Sequence, residues 1–341
     1  MRMNKLLKEI NNNGCILLSK PEDIFYYTAF TGEGYVLISE NDKRIYTDGR
    51  YAEQAQKESP SFKLFDVRNL KNDLKDIQQT VYFQEKHINF YMYKGLLECA
   101  DLKPSNVDFN KLRSVKDEEE IKLLKQSAEI TEQAYLETLN FISEGKTERE
   151  ISAYLNYQMA KNGGHKTSFD TICVSGKNSS LPHGKPTDKP VREGEFITLD
   201  FGCVVDGYCS DMTRTVAVGF ITEEMEFVYD LVLRAQDDAE RALRAGVSGA
   251  EADGIARKII SEVGYGQYFV HSLGHGVGVE VHEYPNLTST NNEKLVINQV
   301  VTVEPGIYLP DKFGVRIENT VLIEEDRAIS FQKSDKELII L

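Results

Sequence analysis

No stretch of the 341 residues stays apolar for the roughly 18 positions that a membrane-spanning helix needs. There is no excess of positive charge. The formal charge is −14, which argues against nucleic acid and anionic membrane as partners, because both need a positive face. Low-complexity tracts are absent. The five cysteines (Cys15, Cys99, Cys173, Cys203, Cys209) are odd in number and contain no CxxC, so reduced thiols are expected. The opening MRMNKLLKEINNNG is charged and lacks the apolar centre of a secretory signal, so a cytoplasmic protein is expected. What is present is 41% apolar residues and a length that suggests two domains with ample core.

Residues 1–112 alternate short strands and helices, which predicts a small α/β domain. Strands are expected at 15–19, 35–39, 44–47, 62–67 and 80–83, with helices over 48–57, 69–78 and 89–99. Asp48-Gly49-Arg50-Tyr51 reads as the start of the first of these helices. Nothing here looks catalytic, and His87 reads as structural or exposed. Lys103-Pro104-Ser105-Asn106 marks the boundary region, with a second domain over 113–341.

In that second domain, FITLDFGCVVDGYCSDMTRTV (196–216) holds two apolar runs joined by Asp206-Gly207. Asp-Gly between such runs predicts a hairpin with a type I′ turn. Asp200 then faces Thr213, and Asp211 lies two places along on the same face, so the two acids are diagonal neighbours. Buried acids this close call for a cation.

The surroundings repeat. A helix capped by Asp117 and Glu120 is followed by one capped by Thr147 and Glu150, with Gly145 between and a stop at Gly164. The expected stripe of the second helix is Ile151, Tyr154, Leu155 and Met159. About a hundred residues later a helix from Thr222 is followed by one capped by Ser248 and Glu251, with Gly246 between and a stop at Gly264. Ile255, Ile259 and Val263 are expected inside that last helix. Each half then delivers strands, TLDFG (198–202) against TVEPG (302–306), which matches Asp200 with Glu304 and Asp211 with Glu318. The expected fold is α+β: two helix–helix–hairpin units about a pseudo-twofold axis, with four acids converging between them.

Three histidines, His271, His275 and His282, fall within twelve residues, where Val277, Val279 and Val281 read as one face of a strand and Glu280 and His282 as the other. His183 is a further candidate, and His165 is expected to be exposed. Four carboxylates and an imidazole form a hard, oxygen-rich donor set whose charge balances two divalent ions. With no thiolate among them, a structural zinc site is disfavoured. The donors alone do not choose between manganese, cobalt, iron and zinc; manganese is placed first.

At these residues the chain resembles the metallopeptidase family of aminopeptidase P, prolidase and methionine aminopeptidase, with its pita-bread fold. The resemblance is carried by FDTICVSGKNSSLPHG (169–184), TLDFG…GYCSDMTRT (198–215), HSLGHGVGVEVHEYP (271–285), TVEPGIYLP (302–310) and GVRIENT (314–320). The separate first domain resembles that of the Xaa-Pro branch. The resemblance implies that Asp200, Asp211, His275, Glu304 and Glu318 hold two divalent metal ions, with Asp211 and Glu318 bridging. It implies that Glu304 shuttles a proton, that His282 stabilises the oxyanion and that His183 orients the substrate. His271 and Arg316 would line the proline side of the pocket. His271-Ser272 stands where many relatives have His-Gly.

The implied activity is release of an N-terminal residue from Xaa-Pro in a proline-containing peptide, with the Xaa-Pro dipeptidase as the alternative. A homodimer is expected by analogy, with the loop 30–34 reaching a partner's site. A peptide-binding protein on the same fold, or hydrolysis of a non-peptide amide, would not need all five ligands.

Overall fold

In a computed structural model of the chain, residues 2–10 and 14–341 are described. The chain divides into two compact units, 1–112 and 113–341. Among the described residues no helix is long and apolar enough to cross a membrane.

The first unit is a six-stranded mixed sheet in the order β4-β3-β2-β1-β5-β6. Its strands are β1 (Cys15–Leu18), β2 (Tyr35–Ile38), β3 (Lys43–Thr47), β4 (Lys63–Asp66), β5 (Val81–Phe83) and β6 (Leu102–Pro104). The helices are α1 (Arg2–Glu9), α2 (Pro21–Thr28), α3 (Ala52–Glu58), α4 (Leu70–Lys75), α5 (Phe90–Leu97) and α6 (Phe109–Ser114). Leu17, Leu37, Tyr46, Leu74, Val81 and Leu96 form its core. One detail differs from the sequence reading. α3 begins at Ala52, because Asp48 accepts from the Arg50 N–H (2.8 Å) and closes a turn first. In the 103–106 boundary stretch, Pro104 ends β6, an edge strand, where a residue without an N–H is tolerated. In the 30–34 loop Phe30 is buried, while Thr31, which bonds to Glu58 (2.8 Å), and Glu33 are exposed.

The second unit shows the repeat. α7 (Glu118–Leu139) and α8 (Glu148–Lys161) belong to the first half, α9 (Glu223–Ala242) and α10 (Gly249–Glu262) to the second. Capping boxes form at Asp117/Glu120, Thr147/Glu150 and Ser248/Glu251. The left-handed glycines at matching places are Gly145 and Gly246, then Gly163 and Gly264, so Gly163 rather than Gly164 is the stop in the first half. One apolar cluster underlies each half. Ile151, Leu155, Leu199 and Phe201 lie in the first, and Val232, Ala256, Val301 and Val321 in the second. In α10 the fully buried stripe is Ala252, Ala256 and Ile260, and Val263 is exposed. The buried face is thus one position away from the expected stripe: Arg257, paired with Asp253 (2.8 Å), bonds the Phe269 (2.9 Å) and His271 (2.8 Å) carbonyls outside the helix, and Asp253 accepts from the Leu273 N–H (3.2 Å).

The central hairpin has the predicted register. β9 (Glu195–Phe201) pairs with β12 (Met212–Val218), Asp200 opposite Thr213; β10 (Cys203–Val205) pairs with β11 (Tyr208–Cys209) around Asp206 and Gly207, both at positive φ. The ladder breaks between them, and the two pairs join different sheets: β8 (Ile172–Ser175) adds to β9, and β7 (Lys166–Thr167) adds to β10. The break centres on Gly202, where a Cβ would lie 1.9 Å from the Ser210 carbonyl oxygen. Gly202→Ala should therefore destabilise the protein by about 3 kcal/mol, at the upper end for overpacking; urea unfolding measures it, and a loss below about 1 kcal/mol would contradict this account.

In the second half, β13 (Gly274–Gly276), β14 (Glu283–Leu287), β15 (Val300–Val303), β18 (Asn319–Ile323) and β19 (Ala328–Ser330) form one sheet, and β16 (Gly306–Leu309) pairs with β17 (Phe313–Arg316). Residues 339–341 return to the first half. Ala217 N–H donates to Ile339 O and Leu341 N–H to Ala217 O, each at 2.9 Å, along the free edge of β12.

Candidate active site and metal centre

Asp200 lies within β9, Asp211 just before β12, Glu304 just after β15 and Glu318 just before β18. Three of the four acids thus sit where a ladder stops, and side chains from both halves can meet. With His275 of β13 they line one cavity of about 920 Å³. The halves brace each other's acids. The Asp211 carbonyl accepts from Thr320 Oγ1 (2.9 Å) and Gln332 Nε2 (3.2 Å). Thr213 Oγ1 donates to Glu318 Oε2 (2.7 Å), and the Glu318 N–H donates to Thr213 O (3.1 Å). Within the second half, Thr302 Oγ1 donates to Glu304 Oε1 (3.1 Å).

His275 Nδ1 lies 3.1 Å from the Gly276 carbonyl, which can only accept, so Nδ1 carries a proton. Nε2 then points its lone pair at Glu304 (3.2 Å) and Asp211 (3.6 Å). A lone pair facing two carboxylates is repulsive unless a cation or a proton lies between them. Burial works against a charge on His275, but Glu304 overrides it and raises the pKa.

The acids show the same demand. Burial, then Glu318 and Asp200, push Asp211 well above the ordinary carboxylate range. Burial, then Glu304 and Asp200, do so for Glu318. Burial raises Asp200 too, against the neighbouring Arg316 guanidinium. Glu304 differs: burial would raise it, and a protonated His275 ring, which then donates to it from Nε2, brings it down to about 2. Asp200 Oδ1 and Glu318 Oε1 are buried without a hydrogen-bond partner. Ligand atoms of Asp211, His275 and Glu318 lie within 4.8 Å of one another. Hard oxygens, two of them orphaned, and an inward imidazole nitrogen fit divalent cations. Cys209, two residues from Asp211, aims its sulfur at the Val279 carbonyl (3.5 Å) and takes no part.

His183, His271, His282 and Arg316 line the same cavity. His271 Nδ1 faces the Ser272 carbonyl (2.8 Å), so Nε2 accepts from the Tyr308 hydroxyl (2.9 Å), which accepts from Arg316 Nη1 (2.6 Å). Burial lowers the His271 pKa, in keeping with a neutral ring. The Arg316 fork is committed to Asp200, Thr213 and Tyr308, so it holds the floor as much as it lines the pocket. His282 sits edge-on to His275, with ring centres 4.3 Å apart. Burial, and then His275, lower its pKa.

Residues 277–282 are a loop, not the expected strand. The alternating valines mimic a strand, but Gly278 N–H turns back to the Glu280 carbonyl (3.0 Å) and Glu283 is drawn inward. Buried Arg113 bonds Glu283 (3.1 Å) and Glu280, and buried Lys116 bonds Glu283 (2.7 Å). This buried charge cluster, Tyr308 and Glu148 were not marked by the sequence reading. Tyr308 lies inside a quoted block, and Glu148 is next to the capping Thr147, so position alone was the available signal.

Residues 122–325 match the family model for metallopeptidase family M24, and residues 2–115 match that for the creatinase/prolidase N-terminal domain. A Xaa-Pro dipeptidase of Pyrococcus furiosus is 38% identical over 99% of both chains. A solved Xaa-Pro dipeptidase from Bacillus anthracis superposes with a TM-score of 0.96 at 38% identity, covering 100% of this chain and 99% of that one. An X-Pro aminopeptidase from Thermotoga maritima superposes with a TM-score of 0.93, also at 38% identity, covering 99% of each.

Proposed function

The chain belongs to metallopeptidase family M24, and from that footing we propose that it is a two-metal exopeptidase that releases an N-terminal residue from proline. The observation that carries the reading is the single cavity into which Asp200, Asp211, His275, Glu304 and Glu318 converge from both halves. Two divalent cations held by these five residues would acidify a water and polarise the scissile carbonyl. Glu304, at the edge of the set beside His275 (3.2 Å), would accept the proton that the water loses and pass it to the leaving nitrogen. His282 donates to the carbonyl oxygen as it gains negative charge. His183, which lines the same cavity, would orient the peptide. His271 presents a neutral ring to the proline side, fixed by Tyr308 and Arg316. Proline suits such a wall because its nitrogen has no N–H and its φ is set by the ring.

Length preference is the finer question, and the printed names of the relatives divide over it. The cavity, at about 920 Å³, lies near the top of the range of roughly 300–1,000 Å³ for pockets that take drug-sized ligands. That room, extending past His183 to Ser152 and Asn156 of α8, favours a peptide longer than two residues, hence an Xaa-Pro aminopeptidase. The dipeptidase names favour the second reading. Chelated protein, reloaded with manganese or cobalt, is given a Xaa-Pro dipeptide and a Xaa-Pro-Xaa tripeptide. Metal-dependent cleavage of the tripeptide is expected. Cleavage of the dipeptide alone would assign a dipeptidase. Cleavage of neither, with metal bound, would overturn both.

A further inference from the structure

Glu148 is the first residue of α8 and is 0% exposed. Thr147 and Glu150 cap the helix without it. Its partners lie instead in the segment that follows β8. Oε1 accepts from the Ser175 N–H (2.7 Å), Ser175 Oγ (3.0 Å) and Asn178 Nδ2 (3.1 Å). Oε2 accepts from Asn178 Nδ2 (3.2 Å), the Thr187 N–H (3.0 Å) and Thr187 Oγ1 (2.6 Å). One carboxylate therefore grips both ends of the loop 175–187. The far end also docks on α8 through backbone bonds, Glu148 N–H to Lys189 O and Arg149 N–H to Thr187 O. The Glu148 carboxylate ties the near end, Ser175 and Asn178, to that fixed point.

His183 lies between the two grips. Its side chain lines the active cavity, and among the described residues its ring makes no hydrogen bond. With no hydrogen bond of its own, the ring depends on how the loop backbone is held, by Glu148 at both ends and by Arg316 Nη1 at the Pro182 carbonyl (3.3 Å). We propose that Glu148 is the positioning residue for His183. The inference rests on reading His183 as a substrate contact. Only a carboxylate can do this work. Each oxygen receives a backbone N–H, and a glutamine has one oxygen; whichever way its amide turns, an NH2 meets an N–H. All six bonds come from neutral donors, and the carboxylate sits at the positive end of α8. A packing role would be met by an apolar side chain without burying a charge.

The test is a double-mutant cycle on kcat/KM for a Xaa-Pro-Xaa tripeptide with metal-loaded protein. Glu148→Gln is expected to lower kcat/KM roughly 10- to 100-fold at unchanged metal content, as displaced supporting groups do. His183→Ala should cost about as much, and the double variant no more than His183→Ala alone. Losses that multiply would overturn the proposal. Hydrogen exchange supplies a readout that needs no substrate: the Ser175 and Thr187 amides should exchange faster in Glu148→Gln, and unchanged rates would overturn the grip. A wild-type protein that cleaves no Xaa-Pro peptide would refute the functional reading while exchange still decides the grip. Should Glu148→Gln not fold, Thr187→Val, which keeps the N–H and loses one bond, is held to the same cycle.

Discussion

Stripped of metal, Asp211→Asn is expected to be more stable than the wild type, and supplied with metal it is expected to be nearly inactive. Both follow from one fact. Asp211 is buried beside Glu318, Asp200 and Glu304, which together hold its carboxyl well above the ordinary range. Without cations, that crowding destabilises the fold, and a neutral amide relieves it. The gain should be about 1–2 kcal/mol, or roughly 2–8 °C in Tm. With cations the same substitution removes a proposed bridging ligand, and kcat/KM should fall on the order of 10³-fold. A chelated variant less stable than chelated wild type would contradict the account of the floor. A variant that keeps its activity with both ions bound would contradict the ligand assignment.

The pH dependence of the chelated wild type has a definite sign. Asp211, Glu318 and Asp200 have raised pKa values, so the folded protein keeps protons that the unfolded chain has released. Stability then falls as pH rises from the ordinary carboxylate range upward. His275, also raised, adds in the same direction, its contribution complete below the usual histidine value and lost above its own. Glu304, lowered to about 2, contributes fully above the carboxylate range and adds no slope there. His271 and His282, lowered by burial, oppose the trend near the usual histidine value. They are outweighed by the two acids raised furthest. Chelated protein should melt higher at about pH 5 than at about pH 8, and Asp211→Asn should flatten the difference. A rise with pH in chelated wild type would refute this.

Arg113→Ala should destabilise the protein by about 3–5 kcal/mol, the range for removing one member of a buried ion pair. The Arg113 side chain is 1% exposed and that of Glu283 0%. Lys116 alone would be left to balance a fully buried carboxylate. The comparison that identifies the cause is the joint replacement of Arg113, Lys116 and Glu283 by apolar residues of similar volume. It should cost less than Arg113→Ala, because no fully buried charge is then stranded; Glu280, which also loses Arg113, is partly exposed to solvent. Urea unfolding of the two variants decides it, and a triple variant worse than the single would show that packing, not charge, is at stake.

The features legible in the sequence were those encoded locally. Asp206-Gly207 specified the hairpin turn, and the turn specified which residue faces Asp200. Capping pairs three residues apart specified where α7, α8 and α10 begin. The repeat then carried local signals across the chain and brought the four acids into register. What stayed hidden depends on partners far apart in sequence. Arg113 and Glu283 are separated by 170 residues, and Glu148 and Thr187 by 39. The 277–282 loop misled because alternation is a property of one segment, whereas the fate of Glu283 depends on Arg113 and Lys116. α2 was missed for a related reason: Pro21 starts it, but Phe25, Tyr26 and Tyr27 favour strands, and burial of Tyr26 and Tyr27 overrides that preference.

The return of residues 339–341 to the edge of β12 bears on how the protein is born. A ribosome releases the first half long before those residues exist, and until they arrive the outer backbone of β12 is unpaired. Ile339 and Leu341 also close over the apolar cluster of the first half. The first half is therefore synthesised early and finished late, by a segment made after Glu318. During translation Asp200 and Asp211 wait without their counterparts, and the acidic floor of the cavity is among the last parts of the molecule to take shape.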